Sequence, residues 1–312
     1  VASGDFNGDG FDDLAMGAFA GDGPQNNADG TGEVIILWGN ANLPGRSIDF
    51  DSNGSITSEG ETRLYGEAVE AFGKSITSAD LDADGIDDLI VGAPAGGPPD
   101  PTGGGPGRAY VFFGSTNLPG ASRQPDTSQS LPNDLMIFAA PDSASGAGTA
   151  VAAGDVDADG RDDLIVGAPT ATAAGSRNNA GEVYLLRGSS NLRGNFYSIG
   201  RAGVPDPPDL TRIRGAEAED RLGISLAAAF FDDDAHAEIV AGAIVATVPP
   251  GSSQGVVYTL KGSANLFGKT IDLAEPIEET TFPQWRLYGR DDTSALGFAL
   301  SAADANGDGR ED

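Results

Sequence analysis

Residues 154–169 read GDVDADGRDDLIVGAP: five acidic side chains within nine residues, followed at once by Leu164-Ile165-Val166. The first half carries the oxygen atoms that surround a hard cation, and the second half has the composition of a buried strand. An ordinary turn uses one or two Asp or Gly residues. Four carboxylates gathered in one turn repel each other strongly unless a cation lies among them.

The stretch recurs. Its acidic part appears as DFNGDGFDD (5–13), DLDADGIDD (80–88), DVDADGRDD (155–163) and DANGDGRED (304–312), with a decayed copy, FFDDDAHAE, at 230–238. The starts lie 75, 75, 75 and 74 residues apart, and the five windows hold 22 of the 47 acidic residues. The formal net charge of −29 is therefore concentrated in loops, which a general solubility role would not require. So acidic a chain is repelled by nucleic acid and by anionic membranes. There is no cysteine, so disulfides, thiolate metal sites and a cysteine nucleophile are excluded. No apolar run reaches the roughly 20 residues of a membrane span.

Other segments keep the same phase. Each acidic block leads into LAMGAF, LIVGAP, LIVGAP or IVAGAI, then a Gly- and Pro-rich loop. GEVIILWG, GRAYVFFG, GEVYLLRG and GVVYTLKG follow, each running into a G-x-x-N-L-x-G turn. TRLYG, DLMIFAA, TRIRG and WRLYG come next, and the cycle restarts near AFGKSITSAD. Four apolar or alternating segments per period, punctuated by turn residues, predict a four-stranded antiparallel meander. The second strand is apolar at successive positions, so both its faces must be covered by neighbouring sheets. Repeats of this length with four strands read as the blades of an all-β propeller; a β-solenoid has shorter rungs.

The ordered set of an FG pair (Phe72-Gly73), a D-x-[DN]-x-D-G-x-x-D block and LIVGAP resembles the FG-GAP repeat of the integrin α-chain N-terminal β-propeller. The FG pair drifts to Ala147-Gly148, Leu222-Gly223 and Leu296-Gly297, and GAP to Gly17-Ala18-Phe19 and Gly242-Ala243-Ile244. The 75-residue spacing resembles the repeats of bacterial surface proteins more than those of animal integrins. The resemblance covers essentially the whole chain and divides it at 1–66, 67–141, 142–216, 217–290 and 291–312. Propellers of that family usually have seven blades, so four periods imply part of a longer chain or a chain completed by a neighbour.

In each acidic block, side chains at positions 1, 3, 5 and 9 and the carbonyl at position 7 can surround one ion, with glycine at position 6 for the bend. The candidate Ca²⁺ ligands are Asp5, Asn7, Asp9, Phe11 and Asp13; Asp80, Asp82, Asp84, Ile86 and Asp88; Asp155, Asp157, Asp159, Arg161 and Asp163; and Asp304, Asn306, Asp308, Arg310 and Asp312. All-oxygen ligation in a flexible loop favours Ca²⁺ over Mg²⁺. Asp162, at position 8, is expected to point away. An EF-hand is excluded because its twelfth position falls on Val166, inside the strand. The decayed copy keeps Asp232 and Asp234 but loses Asp and Gly at Phe230 and Ala235; it is expected to be metal-free, with Phe230 or Phe231 packing instead. Four ions per chain follow.

Catalytic signals are thin, and the reading is of a chain that is not an enzyme. The single histidine, His236, lies in the decayed loop and is expected to be exposed. Neither GAGTA nor GISLA is a G-x-S-x-G elbow, and PTGGGPGR (101–108) lacks the P-loop lysine. Trp38 and Trp285 are expected in the core. The long connections 20–33, 95–107, 121–133, 170–181 and 195–210 are the expected recognition surface for a protein or glycan ligand. Two functions follow: a calcium-stabilised extracellular adhesion or interaction module, open to self-assembly in a surface fibre or matrix, or the accessory propeller of a secreted enzyme.

Overall fold

The computed structural model describes residues 1–23, 30–41, 61–67, 70–96, 105–118, 135–139, 145–199, 205–248, 252–275, 284–291, 294–307 and 310–311. Four antiparallel sheets follow one another along the chain. The first holds β1 (Ala2–Gly4), β2 (Asp13–Ala18), β3 (Glu33–Leu37) and β4 (Glu61–Tyr65); the second, β5 (Ser75–Ala79), β6 (Asp88–Ala93), β7 (Arg108–Phe112) and β8 (Leu135–Ala139). The third is built on β9 (Ala150–Gly154), β10 (Asp163–Ala168) and β11 (Glu182–Leu186). After β12 (Phe196–Ser198) it is continued by β13 (Leu210–Arg214). The fourth sheet contains β14 (Leu222–Ala229), β15 (Glu238–Ala243), then, beyond a small hairpin of β16 (Thr247–Val248) and β17 (Ser252–Ser253), β18 (Val256–Leu260). It ends, past β19 (Thr270–Asp272), in β20 (Gln284–Tyr288).

The meander is as expected, with one addition. β12 pairs in parallel with β8 of the preceding sheet, and β19 with β13. Each is led in by a short 3-10 turn, Ser190–Leu192 or Ala264–Leu266, in which Ser189 or Ser263 accepts from the backbone N–H two residues on. The G-x-x-N-L-x-G motif thus caps one turn, buries Leu192 or Leu266, and sends a fifth strand onto the neighbouring sheet.

The sheets stack face to face, as propeller blades do. Along β6, Leu89, Val91 and Ala93 pack toward the first sheet while Ile90 packs toward the third. Along β10, Leu164, Val166 and Ala168 face the second sheet and Ile165 the fourth. All six residues of β6, of β10 and of β15 are buried. A continuous apolar run is what two covered faces demand, because alternation would bury polar groups on one side.

The two glycine motifs meet between sheets. A Cβ on Gly17, Gly92, Gly167 or Gly242 would lie 2.2, 2.1, 2.1 and 2.2 Å from the carbonyl oxygens of Gly73, Gly148, Gly223 and Gly297. The glycine after each apolar run therefore sits against the glycine that opens the following repeat, at a distance no side chain permits. Trp38 is buried, donating from Nε1 to Thr62 Oγ1 at 3.1 Å. Trp285, expected in the core, is instead 55% exposed: its equivalents Thr62 and Thr211 are buried under the Leu118 and Leu266 carbonyls of the following repeat's N-L turn, and among the described residues no such turn reaches β20.

Candidate metal centre

The acidic blocks join the first strand of each sheet to the second, so they lie together at one end of the stack. Connections 20–33, 95–107 and 170–181 link second to third strands at the opposite end, whereas 121–133 and 195–210 begin from the acidic end. The expected recognition loops thus divide between two ends. Residues 24–29, 97–104, 121–133 and 200–204 lie outside the described residues.

In the first three loops the bonds to the position-1 carboxylate repeat residue for residue. The position-1 carboxylate accepts from the N–H groups of positions 5 and 6: Asp5 from Asp9 and Gly10 (3.0 and 2.8 Å), Asp80 from Asp84 and Gly85 (3.1 and 2.9 Å), Asp155 from Asp159 and Gly160 (3.0 and 2.9 Å). Positions 4 and 6 both take left-handed backbone, with φ of 71° and 87° at Gly8 and Gly10, 56° and 83° at Ala83 and Gly85, and 59° and 87° at Ala158 and Gly160. Two such residues in one short turn direct the N–H groups of positions 5 and 6 onto the position-1 carboxylate.

Position 9 closes the hairpin. Asp13 accepts from Phe6 and Gly39, Asp88 from Leu81 and Gly114, and Asp163 from Val156 and Gly188, all at 2.7–3.0 Å. Burial pushes these carboxyls up, to about 6 for Asp13, about 8 for Asp88 and about 7 for Asp163, against the lowering effect of those N–H donors. Nearby aspartates push in the same direction.

Carboxylate oxygens of Asp80, Asp82 and Asp88 lie within 4.8 Å of one another, as do those of Asp155, Asp157 and Asp163. Positions 1, 3 and 9 are thus brought together, and in the first loop Asp5, Asn7 and Asp13 occupy the same positions. Position 5 is drawn elsewhere: Asp84 accepts from Ile86 N–H at 3.0 Å and meets Arg193 at 2.7 Å, and Asp159 accepts from Arg161 N–H at 3.0 Å. Phe11, at position 7, is largely exposed. Asp304 accepts from Gly307 N–H at 2.6 Å, whereas Asp308 and Asp312 lie outside the described residues. Asp82 Oδ1 is buried without a hydrogen-bond partner, so a polar atom is held where only a cation or donor would satisfy it. The donor set fits a hard, oxygen-preferring divalent ion.

Arginines reach the same loops from neighbouring elements. Arg193 ion-pairs with Asp82 and Asp84 while lying 4.6 Å over the Phe113 ring. Arg187 contacts Asp157 at 2.9 Å and lies 4.4 Å over Phe267. The aromatic and basic members exchange places between the two loops, since Phe113 aligns with Arg187 in the repeat and Arg193 with Phe267.

Asp162 does point out of its own loop, and it has a partner there. Its carboxylate accepts from the Asp80 N–H of the preceding repeat at 3.1 Å, and its own N–H donates to the Asp80 carbonyl at 3.2 Å. Asp87 treats Asp5 identically (2.9 and 3.2 Å), as does Glu311 Phe230 (2.8 and 3.1 Å). Position 8 is therefore a latch between consecutive loops.

The decayed loop differs from expectation in three ways. Glu238 joins Asp232 and Asp234, giving three carboxylates within 4.8 Å. Phe230 remains 41% exposed and Phe231 half-buried, so neither replaces the lost oxygens as a core residue. His236 is half-buried, its Nδ1 lying 3.2 Å from Asp234 Oδ1.

The family profile described as FG-GAP repeat matches residues 1–37, 72–112 and 147–186, the spans that hold the first three acidic loops and the strands beside them. The chain carries FG-GAP repeats. Similar curated proteins include phosphatidylinositol-glycan-specific phospholipase D of Rattus norvegicus, 32% identical over 178 residues, which are 57% of this chain and 19% of that protein. Integrin alpha ina-1 of Caenorhabditis elegans is 35% identical over 147 residues, 46% of this chain and 12% of the integrin. Integrin alpha-5 of Xenopus laevis is 30% identical over 193 residues, 60% and 15% respectively. The chain spans at most about a fifth of the length of these relatives. Among its described residues no helix is long and apolar enough to cross a membrane.

Proposed function

We propose that the chain is a calcium-stabilised, non-catalytic interaction module that works outside the cell or at its surface, in adhesion to a protein or glycan ligand. The observation that carries this is the convergence of positions 1, 3 and 9 in the second and third loops, with Asp82 Oδ1 buried and unpartnered. In this reading Asp5, Asn7 and Asp13, Asp80, Asp82 and Asp88, and Asp155, Asp157 and Asp163 hold one Ca²⁺ each, with positions 5 and 7 completing the shell. The block from Asp304 holds a fourth. The bound ion supplies positive charge that offsets the mutual repulsion of its carboxylates. The chain's own residues bend the loop, clamp the hairpin at position 9 and latch it to the preceding repeat through position 8. The repeat units are 1–66, 67–141, 142–216, 217–290 and the start of a fifth at 291–312.

Binding to the folded state alone stabilises it by about 2.7 kcal/mol per site when free ion is 100 times Kd. Millimolar calcium, as found outside cells, suits such loops. Thermal unfolding in chelator and in millimolar calcium, alongside a glycan array and a panel of purified matrix proteins probed in both, tests the reading. A calcium-dependent rise in Tm together with calcium-dependent ligand capture supports it; an unchanged Tm refutes it.

A second reading is favoured by the similarity to phosphatidylinositol-glycan-specific phospholipase D. In this reading the chain is an accessory propeller to an enzyme. It predicts that this chain alone leaves a glycosylphosphatidylinositol substrate intact but associates with a phospholipase catalytic domain.

A further inference from the structure

The fourth acidic loop does not fit the ion that suits the others. It has no oxygen-bearing side chain at position 1, where Phe230 stands. Among the described residues, neither Asp233 nor Ala235, at positions 4 and 6, takes the left-handed backbone found at both positions of the first three loops. Without those two bends and without a position-1 carboxylate, the loop lacks the N–H cradle of positions 5 and 6 that the first three loops share.

The loop nevertheless gathers the carboxylates of Asp232, Asp234 and Glu238. A cation from the chain itself stands among them: Lys261 Nζ contacts Asp232 Oδ2 and lies 2.8 Å from Asp234 Oδ2. Lys261 is one of only three lysines in the sequence, the others being Lys74 and Lys269. Its place in the repeat, immediately after β18, is held by Trp38, Phe113 and Arg187 in the earlier copies. In the second loop Arg193 touches positions 3 and 5, and in the third Arg187 touches position 3; both leave the position-1 and position-9 carboxylates to each other. In the fourth, the ammonium joins positions 3 and 5 and no position-1 carboxylate competes for a second cation, while Glu238 Oε1 at position 9, like Asp82 Oδ1, is buried without a hydrogen-bond partner.

We propose that the Lys261 ammonium is the resident counter-ion of the fourth loop and takes the place of the divalent ion there. This rests on the calcium reading for the other loops. It makes that loop the one whose charge balance is independent of calcium.

Thermal unfolding of the wild-type chain, Lys261→Met, Lys261→Arg and the triple variant Lys261→Met/Asp232→Asn/Asp234→Asn, each in chelator and in calcium, tests it. Bound calcium is counted on the same samples. Lys261→Met is expected to lower Tm by about 1–2 °C, equally in both conditions, with no change in bound calcium. Lys261→Arg should keep most of the Tm, and the triple variant should recover most of the loss because the repelling charges are gone. If Lys261→Met fails to fold while the triple variant folds, the same conclusion holds. Two results overturn the proposal: a Lys261→Met chain as stable as wild type in chelator, or one that takes up an additional calcium ion and thereby regains its Tm. A wild-type chain with no calcium-dependent rise in Tm would refute the calcium reading instead, and the chelator series would still decide the role of Lys261.

Discussion

Replacing Gly167 by alanine should unsettle the stacking of the third and fourth sheets without disturbing any acidic loop. The backbone of Gly167 is not in the left-handed region, so alanine meets no conformational penalty and the cost is one of space alone. The added Cβ would lie 2.1 Å from Gly223 O and 3.0 Å from Gly223 C, both backbone atoms. Reaching ordinary contact at 3.4 Å requires the two sheets to part by about 1.3 Å, along a core that includes Ile165, Val183 and Leu222. Overpacking of this kind costs about 1–3 kcal/mol, and the rigid neighbours put it at the upper end. That corresponds to a Tm loss of roughly 2–5 °C for a chain of this size. Scanning calorimetry with denaturant titration measures it, and the loss should be the same in chelator and in calcium. A variant within about 1 °C of wild type would mean that the two glycine motifs do not touch and that the sheets do not stack in this register.

Arg108→Met should cost about 3–5 kcal/mol in denaturant titrations, because it strands Glu70, which is 1% exposed and lies 3.2 Å from the guanidinium. Asp162→Ala should lower stability by about 1 kcal/mol, from loss of the bond to the Asp80 N–H, while the bound-calcium count stays unchanged. Acidity should trade against calcium. Asp88, Asp163 and Asp13 have carboxyls raised to about 8, 7 and 6, so the ion-free fold binds protons that the unfolded chain, near 3.8, releases. Ion-free stability is therefore greatest near pH 4 and falls as pH rises toward 8, and the Tm gain on adding calcium should grow over the same interval. A calcium gain that is constant from pH 5.5 to 8, or larger at the acid end, would contradict these shifts.

The 75-residue phase made the sheets, their order and the acidic hairpins legible, because a strand apolar at every position has to be covered twice. Leu164, Ile165 and Val166 divide between two cores as that rule requires. The parallel strands β12 and β19 were hidden, since three-residue stretches such as Phe196–Ser198 have no periodicity of their own; only their fixed place after the N-L-x-G turn marks them. The exposure of Trp285 was hidden because the cover at its position comes from a distant turn, as Leu118 and Leu266 cover Thr62 and Thr211. At the loops, residue types named the oxygen donors but not their use. Position 9 is as much a hairpin clamp for two N–H groups as a candidate ligand, and the position-8 latch spans 82 residues. Lys261 escaped notice because it sits 29 residues from Asp232 in sequence and only the pairing of β15 with β18 brings it near.

Whether the acidic loops are calcium staples is decided by the number of ions bound per folded chain, counted by native mass spectrometry after equilibration in millimolar calcium. Four ions are expected, falling to three in Asp155→Ala and remaining four in Asp232→Asn. Five ions in the wild-type chain, or none, would contradict that role.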